Sequence, residues 1–270
     1  MQVAVVQMSA TTDKADNEAT IERLVARAGP AADLVVLPEA VMHDFGRPDD
    51  PLAPAAEPLD GPFVGLLQRL AGVHHATLVA GMFEQTDEPD RVFNTLVAVS
   101  GDGLLARYRK THLYDSFGYR ESDRLVAGEV EPVTVPVGDL TLGLMTCYDL
   151  RFPEMSRALV DAGADTLVIP AAWVAGPYKV DHWRTLLAAR AIENTCHVVA
   201  AAQCGRIYTG HSAIIDPVGV TRVGLGHDEG LASAVVSTGD LDAARKRNPA
   251  LQHRRFTVTA IGAEPSPARP

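Results

Sequence analysis

Short apolar runs alternate along the chain with segments of helical spacing, and this alternation constrains the possible folds most strongly. The apolar runs are continuous, as is typical of strands that are buried on both faces of a parallel sheet. The segments between them place apolar residues three and four positions apart, which indicates amphipathic helices. The pattern therefore predicts an α/β protein in which helices cover the outer faces of parallel sheets.

The predicted elements extend over most of the 270 residues. Strands are expected at Val3–Met8, Asp33–Leu37, Leu78–Phe83, Thr95–Val99, Leu104–Arg109, Leu167–Ile169, Cys196–Ala202, Ser212–Asp216 and Ala232–Val236. Helices are expected at Asn17–Ala28, Gly61–Ala71, from Pro153 through Val160, and at Asp181–Asn194. No linker divides the chain, so we expect one domain over residues 1–262 and a flexible tail over residues 263–270.

An internal repeat suggests that the chain is built from two related halves. Ala32–Glu39 resembles Ala164–Ala171, and each segment follows a predicted helix. Ligand sites in open α/β folds lie beyond the carboxyl ends of the strands. If each half supplies a sheet, Glu39, Cys147 and Ala171 lie at one rim. Any strand–helix–strand unit could also produce such a repeat, so both interpretations stay open.

A cysteine ends one of the predicted strands. The apolar run Thr141–Thr146 leads into Cys147, and Pro153 suits the first turn of a following helix because its missing N–H would be unpaired there. A cysteine on such a turn is expected to be exposed at the end of a sheet. It also lies near the positive end of a helix dipole, which favours the thiolate. Cys147 is therefore a candidate nucleophile.

Two charged residues also follow predicted strands. A cysteine nucleophile needs a base for its proton and a positive charge or N–H donor for the negative charge of the intermediate. Glu39, after the second strand, could be the base, and Lys110, after Leu104–Arg109, could supply the charge. The backbone N–H of Tyr148 is a candidate second donor. Each residue taken alone is more typical of a solvated loop.

Composition and charge exclude several classes of function. A net charge of −10 argues against binding to nucleic acid or to an anionic membrane. The longest apolar runs are too short to span a bilayer. Three unclustered cysteines indicate free thiols, not a disulfide framework or a zinc site. The opening residues read as a strand with no basic leader, so a cytoplasmic location is expected.

Three segments, in this order, resemble the signature segments of the nitrilase superfamily of carbon–nitrogen hydrolases. They are Leu37–Glu39, Arg109–Leu113 and Cys147–Glu154, and the resemblance extends to Asp216–Gly219. It implies a four-layer α-β-β-α sandwich. It also implies a homodimer, or a larger homo-oligomer, in which the sandwiches stack through the helices after Cys147 and around Trp183.

The resemblance also implies the roles of the site residues. Glu39 is implied as general base, Lys110 as electrostatic stabiliser and Cys147 as nucleophile. Glu121 matches a second family glutamate, which would orient the lysine or help to position substrate and water. The reaction would hydrolyse an amide through a cysteine thioester, with Tyr148 N–H helping to hold the oxyanion. No metal and no organic cofactor is implied.

Further segments favour an amidase within this superfamily. Nitrile-cleaving members usually carry Trp-Glu where this chain has Tyr148-Asp149. His182–Asn194 is similar to a helix of the ω-amidase and deaminated-glutathione amidase branches. Ala200–Arg206, followed by Gly210–Ser212, is similar to the second of these. The intervening loop, Ile207–Thr209, is shorter than expected, so the substrate stays open.

Arg151 is the main candidate for substrate binding. A guanidinium four positions after the nucleophile could bind a substrate carboxylate with two parallel hydrogen bonds, or could form an ion pair with Glu154 or Asp149. An aromatic residue at a strand end, Trp173, could line the pocket or belong to the core. The remaining pocket candidates are Phe45, Phe117 and, more weakly, Arg206 and Tyr208.

Three alternatives remain besides an amidase that acts on a small carboxylate-bearing amide. The same machinery could hydrolyse nitriles or N-carbamoyl amino acids. A papain-like thiol hydrolase would use His112, His182 or His211 as its base. A nitrilase-like fold without turnover could serve as a binding protein.

Overall fold

The computed structural model describes residues 1–29, 31–116 and 118–261. The strands are β1 (Gln2–Gln7), β2 (Leu34–Val36), β3 (Thr77–Glu84), β4 (Val92–Ser100), β5 (Gly103–Arg109), β6 (Asp115–Ser116), β7 (Tyr119–Arg120), β8 (Leu125–Val126), β9 (Thr134–Val137), β10 (Leu140–Leu144), β11 (Thr166–Ala171), β12 (His197–Ala202), β13 (Ala213–Ile215), β14 (Thr221–Gly224) and β15 (Gly230–Val235). The helices are α1 (Lys14–Ala28), α2 (Pro62–His74), α3 (Pro153–Asp161), α4 (Lys179–Asn194) and α5 (Thr238–Arg247). The tail predicted over residues 263–270 lies outside the described residues, as do Pro30, Phe117 and Gly262.

Two sheets share one plan. The first has the order β15-β1-β2-β3-β4-β5, with β8 beside β4, and the second has the order β14-β13-β12-β11-β10-β9. Each has three parallel strands at its centre, β1–β2–β3 in the first and β10–β11–β12 in the second. The outer strands pair antiparallel, except β8, which pairs parallel with β4. The prediction of parallel sheets was therefore wrong at the edges. Two-residue hairpins reverse the chain between β4 and β5 and between β9 and β10, and β15 returns from the far end of the chain to pair with β1.

The repeated segments occupy matching places in this plan. β2, from the first repeat, is the middle strand of one parallel triplet, and β11, from the second, is the middle strand of the other. This correspondence favours the interpretation that each half of the chain supplies one sheet.

The sheets pack face to face between two layers of helices. The layer between them includes Val5 and Leu144, which are completely buried. Leu24 of α1 packs in the core on the outer side of the first sheet, and Leu159 and Trp183 of α3 and α4 pack on the outer side of the second. Burial of one such side chain contributes about 1.5–3 kcal/mol. The predicted α-β-β-α sandwich is confirmed.

Local signals set the helix starts. Proline occupies the first turn of α2 and of α3, and the predicted start at Pro153 is confirmed. α1 begins earlier than predicted because the Asp13 side chain accepts hydrogen bonds from the N–H groups of Ala15 (2.8 Å) and Asp16 (3.2 Å). Across the described residues, no helix has the length and apolar character needed to cross a membrane.

Candidate active site

The segment that carries Glu39 is held against β3. Leu37 N–H donates to Val79 O (2.8 Å) and Gly81 N–H donates to Pro38 O (3.1 Å). Gly81 O accepts the Val41 N–H (3.1 Å). A Cβ on Gly81 would lie 2.7 Å from Glu39 Cα, so only glycine allows this approach. The chain then turns through Ala40, whose φ of 54° is unusual for a non-glycine residue.

The Glu39 carboxylate is buried and receives donors from both halves of the chain. Its Oε1 accepts hydrogen bonds from Asn94 Nδ2 (2.7 Å) and Lys110 Nζ (3.1 Å). Its Oε2 accepts the Ala172 N–H at 2.6 Å, just beyond β11. Only 1% of the residue is exposed. The expectation that the ends of β2 and β11 lie at one rim is confirmed by the bond to Ala172.

Lys110 lies between two carboxylates. Its Nζ is 3.1 Å from Glu39 and 2.9 Å from Glu121, and its side chain is fully buried. Burial acts to lower the pKa of Lys110, but the charges of Glu121 and Glu39 outweigh burial and hold this pKa well above its ordinary value. The ammonium is therefore a permanent positive charge in the site.

Glu121 is the second carboxylate that contacts the Lys110 ammonium. Its second oxygen accepts the Tyr114 N–H at 2.7 Å, which ties the loop after Lys110 to the same carboxylate. Burial raises the pKa of Glu121, the Lys110 ammonium lowers it, and Glu39 raises it further; the net shift is upward. Glu121 thus has the geometry to hold the lysine in place.

Cys147 opens a 3₁₀ helix, Cys147–Arg151, and two residues separate it from the end of β10. Its φ is 47°, a strained value for a residue with a side chain. Burial raises the pKa of its thiol well above the ordinary value, the Glu39 carboxylate adds to the rise, and Lys110 opposes it. The expected thiolate was wrong, because the 3₁₀ helix separates Cys147 from α3 and a carboxylate lies beside the sulfur. The resting thiol needs a base.

A buried aspartate, which the sequence indicated only as a possible partner of Arg151, joins the lysine and cysteine segments. Asp149 accepts hydrogen bonds from the Tyr108 hydroxyl (2.7 Å), Thr146 N–H (2.8 Å), and His112 through Nδ1 (2.7 Å) and N–H (3.2 Å). The His112 ring stacks on Phe152 with centroids 3.7 Å apart. The signal in the sequence that could have indicated this role for Asp149 was its position two residues after Cys147.

A cavity of about 820 Å³ opens above these groups. Glu39, Glu121 and Cys147 line its base, and Lys110 is buried in contact with both glutamates. We call these four residues the floor. The walls, which we call the mouth, include Phe45, Tyr114, Tyr148, Arg151, Trp173, Lys179, His182 and Tyr208. The predicted residues Phe45, Arg151, Trp173 and Tyr208 thus share one pocket. Arg206 does not line it, and Phe117 lies outside the described residues.

Arg151 points to the pocket and not to a neighbouring acid. Its guanidinium carbon lies 5.0 Å from the centre of the Trp173 ring. Among residues 1–29, 31–116 and 118–261, no carboxylate forms an ion pair with it, so neither Asp149 nor Glu154 is its partner. A guanidinium in this position could bind an anionic group of a substrate.

Two of the three histidines proposed as alternative bases form hydrogen bonds with other side chains. His112 is bound to Asp149, and His211 lies 3.1 Å from Arg184. His182 lines the mouth. In the part of the chain that the structure describes, no cluster of three or more His, Cys, Asp or Glu residues could hold a metal ion. The floor combines a thiol, a carboxylate and an ammonium, which are the groups that acyl transfer requires.

Known proteins show the same fold and related sequences. The chain matches the carbon–nitrogen hydrolase family over residues 2–246. It is 41% identical to a deaminated glutathione amidase of Escherichia coli O157:H7, over 95% of this chain and 98% of that one. It is 38% identical to the deaminated glutathione amidase of Bos taurus, over 94% and 81% of the two chains.

A solved structure of a CN-hydrolase superfamily protein from Xanthomonas campestris is 30% identical to this chain. It superposes with a TM-score of 0.86 over 96% of this chain and 99% of that one. The shared fold and the match over residues 2–246 agree with the three motifs that carry Glu39, Lys110 and Cys147. The chain therefore belongs to the carbon–nitrogen hydrolase family of the nitrilase superfamily.

Proposed function

We propose that this carbon–nitrogen hydrolase is a thiol-dependent amidase that acts on a small, carboxylate-bearing amide. The observation that carries the proposal is the floor: a Cys147 thiol beside a buried Glu39–Lys110–Glu121 network, below a pocket large enough for a small molecule. The names of the relatives support amide hydrolysis.

The reaction proceeds in two halves. Glu39 takes the proton of Cys147, and the sulfur attacks the amide carbon. The Lys110 ammonium and the Tyr148 N–H stabilise the oxyanion of the tetrahedral intermediate. Glu39 then gives the proton to the leaving ammonia or amine, and a thioester remains on Cys147.

Water completes the cycle. Glu39 removes a proton from a water molecule that attacks the thioester carbon, and Lys110 again stabilises the oxyanion. Collapse of the intermediate breaks the carbon–sulfur bond, releases the carboxylic acid and returns the proton to the Cys147 sulfur. Glu121 keeps the Lys110 ammonium oriented throughout, through their 2.9 Å contact.

The position of Arg151 favours a substrate that carries a carboxylate. Its guanidinium lines the pocket and contacts the Trp173 face. Substrates of the deaminated-glutathione amidase and ω-amidase type have such a group, and we propose this type. An N-carbamoyl amino acid would present a carboxylate to the same guanidinium and is the second candidate.

Ammonia release by the wild type and by Cys147→Ala tests the proposal. The panel contains deaminated glutathione, α-ketoglutaramate, N-carbamoyl amino acids, aliphatic amides and nitriles; for deaminated glutathione the released peptide is measured instead. We expect turnover of a carboxylate-bearing amide by the wild type and loss of at least about 10⁴-fold in the variant. Normal turnover by the variant contradicts the mechanism, and preference for a nitrile contradicts the amidase assignment.

We also infer a homodimer that stacks through α3 and α4, in a reducing, cytoplasmic setting. Ile192 of α4 is 50% exposed and lies against Gly219, whose neighbours Val218 and Val220 are 55% and 56% exposed. This apolar patch supports burial against a second copy. The three described cysteines are all free, which suits a reducing compartment. A monomer by light scattering at micromolar concentration would contradict the dimer.

A further inference from the structure

Lys179 is held at the wall of the pocket by contacts of both its backbone and its side chain. Its Nζ lies 3.4 Å from the Tyr114 hydroxyl and 5.4 Å from the centre of the Trp173 ring. Its backbone carbonyl accepts the Trp173 Nε1–H at 2.9 Å. Lys179 is half-buried and begins α4, so its ammonium faces the cavity from a fixed position.

The same tryptophan ring also carries the guanidinium of Arg151. The ring centre lies 5.0 Å from the guanidinium carbon of Arg151 and 5.4 Å from Nζ of Lys179. Both cations line the cavity that contains Cys147. Two positive groups therefore contact one tryptophan ring, and both line the pocket.

Lys179 and Arg151 carry charges of the same sign beside the same ring. Burial lowers the pKa of Lys179, and the charge of Arg151 lowers it further, against a small opposite effect of Cys147. Like charges in a partly buried pocket destabilise one another. An anion bound at both would relieve this repulsion and form charge-assisted hydrogen bonds.

We propose that Lys179 and Arg151 together bind one carboxylate of the substrate, which makes Lys179 a specificity-determining residue. The inference rests on the proposed amidase function. Arg151 offers a planar fork with several N–H donors, whereas Lys179 offers a compact point charge. The substrate class is therefore amides with a carboxylate on the acyl part, and the neutral esters of these acids are poor substrates.

Lys179→Met separates charge from packing. Methionine keeps an apolar stem against Trp173, and the backbone carbonyl that accepts the indole N–H is unchanged. Lys246→Met is the matched control, because Lys246 is exposed on α5 and the change in net charge is the same. The paired substrates are glutaramate and its methyl ester, which differ in the carboxylate charge.

We expect Lys179→Met to lower kcat/KM for glutaramate about 10–100-fold, the usual effect of losing a hydrogen bond to a charged group. For Lys179→Met, kcat/KM for the methyl ester should change by less than about twofold. For Lys246→Met, kcat/KM for either substrate should also change by less than about twofold. An equal loss on both substrates would assign Lys179 to structure and overturn the inference. No change on either substrate would overturn it as well.

The binding of glutaramate to Cys147→Ala, with and without Lys179→Met, can be measured by calorimetry. This measurement tests the carboxylate site separately from the amidase proposal. We expect the double variant to bind about 10–100-fold more weakly than Cys147→Ala. If this difference appears but the wild type hydrolyses no amide, the amidase proposal fails and the carboxylate site stands. Equal binding overturns the inference whether or not amides are hydrolysed.

Discussion

The floor and the mouth of the pocket differ in burial and in how their residues are held. In the floor, Lys110 and Glu39 are 1% exposed, and the Lys110 ammonium lies 3.1 Å from Glu39 and 2.9 Å from Glu121. In the mouth, by contrast, Tyr114, Tyr148, Arg151 and Lys179 are only half-buried, and the contacts are mainly aromatic or between cations and rings.

From this difference we infer that the floor carries out the reaction and that the mouth selects the substrate. A buried network keeps its charges in place and strengthens their effect on a transition state, because little water screens them. A partly exposed wall of aromatic and cationic groups can change without disturbing the fold. We therefore expect variants of the floor to alter kcat and variants of the mouth to alter KM.

Glu39→Gln should have the largest effect. The amide keeps the size of the side chain but cannot take the Cys147 proton, so kcat should fall about 10²–10⁴-fold with little change in KM. Steady-state kinetics measure the loss, and circular dichroism checks the fold. Activity near that of the wild type would revive a histidine base and remove the floor from the chemistry.

Asp149→Asn should have the next largest effect. The change weakens the bonds that join the Lys110 and Cys147 segments, so kcat should fall about 10–100-fold through misplacement of the floor. Unfolding in urea should show a loss of about 1–3 kcal/mol. Asp242→Asn on exposed α5 is the control. Full activity with reduced stability would limit Asp149 to a structural role.

Arg151→Gln tests the mouth. The loss of one cation should raise KM for a carboxylate-bearing amide about tenfold while kcat stays within about twofold. The methyl ester of the same substrate provides the comparison. A fall in kcat without a change in KM would mean that the mouth takes part in the reaction, and the division between the two regions would be wrong.

The pH dependence of Cys147 alkylation sharpens the description of the floor. A thiol whose pKa is raised stays protonated at neutral pH, so alkylation of Cys147 should keep rising with pH beyond the midpoint of an unfolded cysteine. Peptide mapping separates Cys147 from Cys196 and Cys204, whose pKa values burial raises to about 12 and about 11. A plateau below pH 8 would indicate a resting thiolate.

Continuous apolar runs predicted the central strands well, because burial on both faces leaves a strong signal. The edge strand β14 was missed because its residues are mostly exposed and carry no apolar run. The three motifs predicted Glu39, Lys110 and Cys147 as neighbours, and the structure places them together. The sequence predicted neither Lys179 as a pocket residue nor Asp149 as the link between the lysine and cysteine segments. Both roles depend on contacts between segments far apart in sequence.

The most direct test of the floor is the mass of the protein during turnover. Wild type mixed with a carboxylate-bearing amide and quenched in acid within the first turnovers should gain the mass of the acyl group, and peptide mapping should place it on Cys147. Cys147→Ala should gain no mass and release no ammonia. Turnover with an unmodified Cys147, together with ammonia release by Cys147→Ala, would contradict the thioester mechanism.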